Sequence, residues 1–284
     1  MSGSKRVAVV TGSNKGIGYA VVRGLCKQFD GDVYVTARNV ELGLRAVEDL
    51  KIEGCNAKFY QLDITKQDTI HKLKIFLQDS YGGLDILVNN AGISYKKAST
   101  ASFSEQAEVT TRTNFTGTLD VCDTLFPILR SNARVVNISG RMSLFALRKC
   151  SEDLQKTLVD RDCITIADIK NLMQQFVDSA KTGTYGNLGW PEMAYGVSKL
   201  GVTVLSIIQQ RNLLLDARPD IIINTCCPGL VMTDMSSQKG TKTIDEGADT
   251  PLYLALLPPN TTSPKGEFVS DRTIVNLEIS KTED

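Results

Sequence analysis

Thr11-Gly12-Ser13-Asn14-Lys15-Gly16-Ile17-Gly18 decides the reading of this chain. It follows Val7 to Val10, a short β-branched run. It opens a segment in which Ile17, Ala20, Val21, Gly24 and Leu25 recur with a helical period. Between a strand and a helix, glycines allow a tight turn and let a diphosphate approach the backbone. The helix N-terminus adds free N–H groups and a partial positive charge. The spacing is Gly-x3-Gly-x-Gly rather than the commoner Gly-x-Gly-x-x-Gly. The stretch predicts a phosphate cradle formed by Gly12, Asn14, Lys15, Gly16, Ile17 and Gly18.

Working outward, Asp32 to Thr36, Ala57 to Leu62, Asp85 to Val88, Arg134 to Ile138 and Ile221 to Cys226 read as further buried strands. Several lack a polar alternate face, as parallel strands covered on both sides do. Helical periods fall roughly at 40–53, 67–80, 104–130 and 192–215. Repeated strand–helix units predict an α/β fold, a Rossmann-type doubly wound parallel sheet. No linker, repeat or low-complexity tract appears, so residues 1–284 read as one domain. Residues 145–190 break the rhythm with polar helical patterns at Ser151 to Leu158 and Thr165 to Ala180. That is too long for a structureless loop and predicts a helical insertion.

The bulk chemistry narrows the function. The 284 residues are 42% hydrophobic and 23% charged, with 32 basic and 32 acidic side chains. No basic field points to nucleic acid or membrane. No apolar stretch is long enough to span a bilayer. Ser2-Gly3-Ser4 runs into the first strand without a leader pattern, and Lys281 to Asp284 matches no common targeting signal. Seven scattered cysteines, none at zinc-finger spacing, predict reduced thiols and a cytoplasmic protein without a metal site. The single histidine, His71, leaves histidine-based hydrolysis, metal ligation or dehydrogenation little to build on.

The end of the second strand reports on the nucleotide. An acidic residue there would take a ribose 2′-hydroxyl. The sequence has Thr36-Ala37-Arg38 instead, and a guanidinium suits a 2′-phosphate. Lys15 adds a second cation. A charged hydrogen bond contributes about 1.5–3 kcal/mol, so NADPH is the expected cofactor. Asp63, after the third strand, offers either an acceptor for an adenine amino group or a helix N-cap. Asn89-Asn90-Ala91-Gly92 puts small residues at the end of the fourth strand, where an open sheet has its ligand crevice.

Tyr195-Gly196-Val197-Ser198-Lys199 begins a helix and sets Tyr195 and Lys199 four residues apart on one face. A tyrosine with a pKa near 10 is a poor acid–base group at neutrality. A cation about 4 Å away in a desolvated cleft supplies energy of the order needed to tune it.

These motifs, with Asn114 and Pro228-Gly229, occur in an order that resembles the short-chain dehydrogenase/reductase family over most of the chain. Within it the closest likeness is to the monomeric animal carbonyl-reductase group, through Tyr81-Gly-Gly-Leu-Asp85, Gly189-Trp-Pro191, Cys226-Cys-Pro-Gly229 and Tyr253 to Pro259. The resemblance implies NADPH-dependent reduction of a small carbonyl substrate (quinone, ketone or aldehyde) to an alcohol. It implies Tyr195 as proton donor and Lys199 as its tuner and ribose contact. Asn114 would kink its helix and hold a water. It adds Ile64, Asn90, Ala91 and Gly92 to the cofactor site, together with Pro228, Gly229, Val231 and Thr233 as a cover for the nicotinamide. A monomer is implied, because the insertion would cover the helix surface other members use for tetramers.

Two departures leave alternatives open. The family's substrate-orienting serine falls on Gly140 in Asn137-Ile-Ser-Gly-Arg-Met-Ser143. Ser139 is retained as a catalytic candidate although strand alternation aims it elsewhere, and Ser143 is the other neighbour able to reach in. Leu230 stands where the group often has a tryptophan. A catalytically weakened NADPH-binding scaffold and a specialised metabolite reductase are therefore the alternatives to a general carbonyl reductase.

Overall fold

The computed structural model describes residues 5–96 and 98–277. The segments Ser2 to Ser4 and Lys281 to Asp284 lie outside them. Eight strands, β1 (Val7–Val10), β2 (Asp32–Ala37), β3 (Ala57–Gln61), β4 (Leu84–Asn89), β5 (Leu129–Ile138), β6 (Ile222–Cys227), β7 (Phe268–Ser270) and β8 (Thr273–Ile274), form one sheet in the order β3-β2-β1-β4-β5-β6-β7-β8. All neighbours are parallel except β7 and β8. The strand order reverses between β1 and β4, which opens a crevice at their C-terminal ends.

Strand alternation explains why both faces are covered. Ala8, Val10, Val33, Val35, Ile86 and Val88 pack to one side, with α1 (Gly16–Gln28), α2 (Val40–Ile52) and, near the C-terminus, a helix over Ile244–Ala255. Val7, Val9, Tyr34 and Leu87 point the other way, onto Ile70, Leu73 and Leu77 of α3 (Gln67–Tyr81). The stretch whose period predicts one helix over 104–130 is composite. It consists of α4 (Phe103–Thr110), a π turn (Thr111–Thr116), α5 (Gly117–Leu125) and a 3₁₀ turn (Phe126–Ile128). Pro127 sits in that last turn, and β5 begins at Leu129 rather than Arg134.

The insertion is helical. It comprises α6 (Arg141–Lys149), α7 (Glu152–Val159) and α8 (Ile166–Thr182), then a 3₁₀ turn (Tyr185–Leu188) before α9 (Ala194–Asn212). A Thr165–Asp168 capping box starts α8, and Gly183 ends it in the left-handed region at φ 73°. Phe176, Met173 and Ile169 of α8 bury against Phe115, Trp190 and the α9 core in a third apolar cluster. The Ile244–Ala255 helix, α10, is started by a Thr243–Glu246 capping box.

Among the described residues no helix is long and apolar enough to cross a membrane, and no group of three His, Cys, Asp or Glu could hold a metal. Five of the seven cysteines are buried and all are free thiols.

Candidate active site

The glycine turn is fixed by the two strands beside it. Thr11 Oγ1 accepts the N–H groups of Asn90 and Ala91, both at 3.0 Å. The Asn90 amide donates to the carbonyls of Thr11 (3.0 Å) and Gly12 (2.9 Å). Gly12 and Gly16 take φ near 60°, a region closed to most side chains. At Gly18 a Cβ would lie 2.5 Å from the Asn90 amide nitrogen. The first turn of α1 holds no acidic residue, and Lys15 at its N-cap makes no side-chain cap. An anion therefore meets backbone donors, with no carboxylate in the helix's own first turn. Asn90 acts as the clamp of the turn. Thr11 joins the site beyond the residues that the glycine motif singles out, and its place right after a strand is the signal that could have found it.

Arg38 is exposed after β2, and its carbonyl accepts from the Gln61 side chain. Burial raises the Asp63 carboxyl, but hydrogen bonds from Thr65 and the Lys66 and Arg38 cations outweigh it, leaving it below its usual value. Asp63 Oδ1 holds the Thr65 backbone and hydroxyl, and α3 has its N-cap at Lys66, so Asp63 is not the cap. Ile64 is buried against Gly117. Lys15 does not stand free: it pairs with Asp234 at 2.7 Å, both side chains exposed. These residues fit a dinucleotide carrying an extra phosphate.

Residues 228–243 form a loop beyond β6 that closes over the glycine turn. Thr233 Cγ2 lies 3.4 Å from where a Gly16 Cβ would stand. Gly229 turns the chain at φ 86° after Pro228. Val231 is buried, and its side chain lies against Gly247 of α10, so at most its backbone serves the cleft.

Tyr195 and Lys199 meet at the first turn of α9. The Lys199 ammonium donates to the Ile138 carbonyl at 2.7 Å and stands 6.0 Å from the Tyr195 ring centre. Burial pushes the tyrosine up to about 12, with Cys227 adding to the effect. Burial likewise lowers Lys199 to about 8. In the protein by itself, burial thus favours the neutral form of both groups. Lys199 is not among the causes of the tyrosine shift, which in this state is set by burial and Cys227. Asn114 is fully buried in the π turn. It accepts from the Ile93 N–H (2.8 Å) and donates to the Ile93 carbonyl and Ser198 hydroxyl (both 2.9 Å).

Ser139 requires a correction. Its hydroxyl is buried between β5 and α9, against the Lys199 carbonyl (3.0 Å) and Thr203 (2.7 Å), and does not line the cleft beside Tyr195. Ser143 is also buried, donating to the Gly140 carbonyl at 2.7 Å. Neither faces a carbonyl substrate. At Gly140 itself a Cβ would meet nothing within 4 Å, and φ is extended at 164°. Arg141 turns away from the cleft, toward Ser270 and Asp271. Beside Tyr195 lies a cleft of about 420 Å³ lined by Phe103, Gln106, Met142, Glu192 and Met193. None of these five belongs to a sequence motif.

A nucleotide crevice at a strand-order reversal, opposite a buried tyrosine–lysine pair, is the architecture of one large class of oxidoreductases. The chain belongs to the short chain dehydrogenase family, whose profile matches residues 6–151. It is 50% identical over 275 residues to carbonyl reductase [NADPH] 1 of Rattus norvegicus, covering 96% of this chain and 99% of that one. It is 49% identical, with the same coverage, to carbonyl reductase [NADPH] 3 of the same species. Among solved structures, salutaridine reductase of Papaver somniferum superposes with a TM-score of 0.83 at 30% identity, over 94% of this chain and all of that one.

Proposed function

We propose that this protein reduces carbonyl compounds with NADPH, with Tyr195 as the proton donor. The observation that carries the reading is the buried Tyr195–Lys199 pair beside a cleft of mixed lining, at the C-terminal end of the sheet. Bound NADPH supplies the hydride. Gly12, Gly16 and the N-terminus of α1 would receive its diphosphate, Arg38 and Lys15 its 2′-phosphate, and Lys199 its ribose. Lys15 leaves its exposed partner Asp234 at little cost, since such pairs contribute about 0–1 kcal/mol.

Reduction needs a tyrosine that still holds its proton when the carbonyl oxygen gains charge. Burial pushes Tyr195 up to about 12, so it holds its proton through neutral pH, and the Lys199 cation beside the ring is the group that favours its release to the substrate oxygen. Asn114 fastens the strand end at Ile93 to Ser198 and so holds the Tyr195 turn against the crevice. Phe103, Met142 and Met193 give the cleft its apolar wall beside Tyr195. We further infer that the protein is a cytoplasmic monomer, with the helical insertion packed on α4 and α9.

The test is NADPH oxidation followed by absorbance with quinones, diketones and aldehydes. Tyr195→Phe should lower kcat by about 10²–10⁴ while leaving NADPH affinity within about twofold. Equal turnover by the variant would remove Tyr195 from the chemistry.

A further inference from the structure

The hairpin that closes the sheet carries two residues in an unfavourable backbone state. β7 turns into β8 through Asp271 and Arg272 alone, at φ 51° and 59°. Asparagine, aspartate or glycine usually fills such a two-residue turn, so Asp271 suits its place and Arg272 is the unusual one. Strain kept by ordinary side chains points to a local role.

Each residue is held by ion pairs. Arg272 forks onto Asp249 of α10, with one contact at 2.8 Å, and its N–H bonds Thr250 Oγ1 at 3.2 Å. Asp271 faces the active site's surroundings. It accepts from Lys242, from Arg141 at 3.3 Å and from Ser270 at 3.1 Å. Lys242 holds its carboxyl below the ordinary range, so the charge persists at neutral pH.

Lys242 forms the base of the loop over the crevice. Its backbone brackets Leu230 and Met232 (3.0 and 2.8 Å), and it bridges Val231. Its aliphatic stem crosses Gly229, where a Cβ would lie 2.8 Å from Lys242 Cδ. Arg141 opens α6, the helix that brings Met142 to the cleft. Asp271 thus ties both walls of the cleft mouth to the sheet. At its far end the loop is tied through Asp234 to Lys15, which the cofactor's phosphate would draw away.

We propose that Asp271 is a positioning residue that anchors the cover loop, so that its charge sets how fast NADPH leaves the cleft. The inference rests on reading the crevice and its loop as the cofactor site. If the phosphate draws Lys15 from Asp234, the tip is released, and the Lys242–Asp271 pair remains as the ionic tie at the loop's base, beside the buried Val231. Its effect belongs to cofactor residence, not to proton transfer.

The experiment is stopped-flow release of NADPH from the full chain, with steady-state kinetics alongside. Asp271→Asn keeps a residue that tolerates the left-handed turn and removes only the charge. It should release NADPH about three- to fivefold faster, raise KM for NADPH to match and leave the single-turnover reduction rate unchanged. Asp271→Glu should restore slow release. The gap between wild type and Asp271→Asn should shrink at high ionic strength. Asp249→Asn strips Arg272 of its partner but leaves Lys242 alone, and serves as the structural control. Release unchanged in Asp271→Asn, or accelerated equally in Asp249→Asn, overturns the proposal. Arg38→Ala checks the premise: unchanged NADPH affinity there overturns the placement of the cofactor instead.

Discussion

At the residue scale, the site holds a cation where the protein would be more stable without one. Lys199 is 4% exposed, and burial lowers it from 10.5 to about 8. That fall corresponds to about 3 kcal/mol against the charged form. The native state releases this proton more readily than the unfolded chain does. Lys199 therefore weighs fully against folding below pH 8, and stability rises with pH between about 8 and 10.5. Lys199→Met should raise the urea midpoint at pH 7, flatten that rise and abolish turnover. A lower midpoint would mean that the bond to Ile138 outweighs the buried charge. Gly140 argues in the opposite direction. With an extended backbone and no neighbour within 4 Å of an added Cβ, Gly140→Ser should fold as well as the natural chain. It restores a donor beside the cleft and should raise kcat for simple ketones by about tenfold or more. A loss of turnover would show that the open space serves the substrate, which would favour the specialised-metabolite reading.

At the element scale, the π turn at Thr111–Thr116 lets one helix both pack and serve the site. It delivers Asn114 to Ile93 and Ser198 at once, joining the end of β4 to the start of α9. Asn114→Ala would leave the Ile93 N–H and carbonyl without partners, while Ser198 keeps its bond to the Tyr195 carbonyl. It should cost about 2–4 kcal/mol in denaturant unfolding and lower kcat more than KM. A stability loss without a kinetic one would confine Asn114 to the scaffold. The same helix shows why part of the structure is hidden in the sequence. Its apolar spacing predicts one helix to residue 130, because periodicity does not register a π turn. The polar start of β5, Arg130-Ser131-Asn132, resembles a loop. β7 and β8 are three and two residues long, too short for a pattern. Six strands are legible as apolar runs, and the glycine turn, Tyr195 and Lys199 lie in local motifs. Thr243-x-x-Glu246 is a local signal for the start of α10 that the strand–helix rhythm alone does not use. The cleft wall at Met142 and the tie from Asp271 to Lys242 and Arg141 are not legible. The tie joins positions 29 and 130 residues apart, and only the folded sheet brings them together.

At the scale of the whole molecule, the insertion bears on the proposal that the protein is a monomer. α8 lays Ile169, Met173 and Phe176 against the cluster formed with α9 and Phe115. Phe103 of α4 meets Phe176 edge-on at 6.0 Å and Tyr185 at 4.7 Å. Trp190 closes the layer, donating to Gln175 at 3.1 Å. The apolar surface that α4 and α9 would offer a second copy is thus spent within the chain. On the monomer proposal, burying it internally would make the folded unit independent of concentration. Two outcomes follow. Light scattering should report a mass near 31 kDa across roughly a hundredfold range of concentration. Thermal unfolding should be a single transition seen alike by far-ultraviolet signal and by the fluorescence of Trp190, the only tryptophan. Phe176→Ala should destabilise the fold by about 3–5 kcal/mol and, by loosening α8 from α9, uncover the face the insertion hides. If the variant then associates while the natural chain does not, the insertion is what keeps the molecule single. If the natural chain is already a tetramer, the layer is only part of its core and assembly uses another surface.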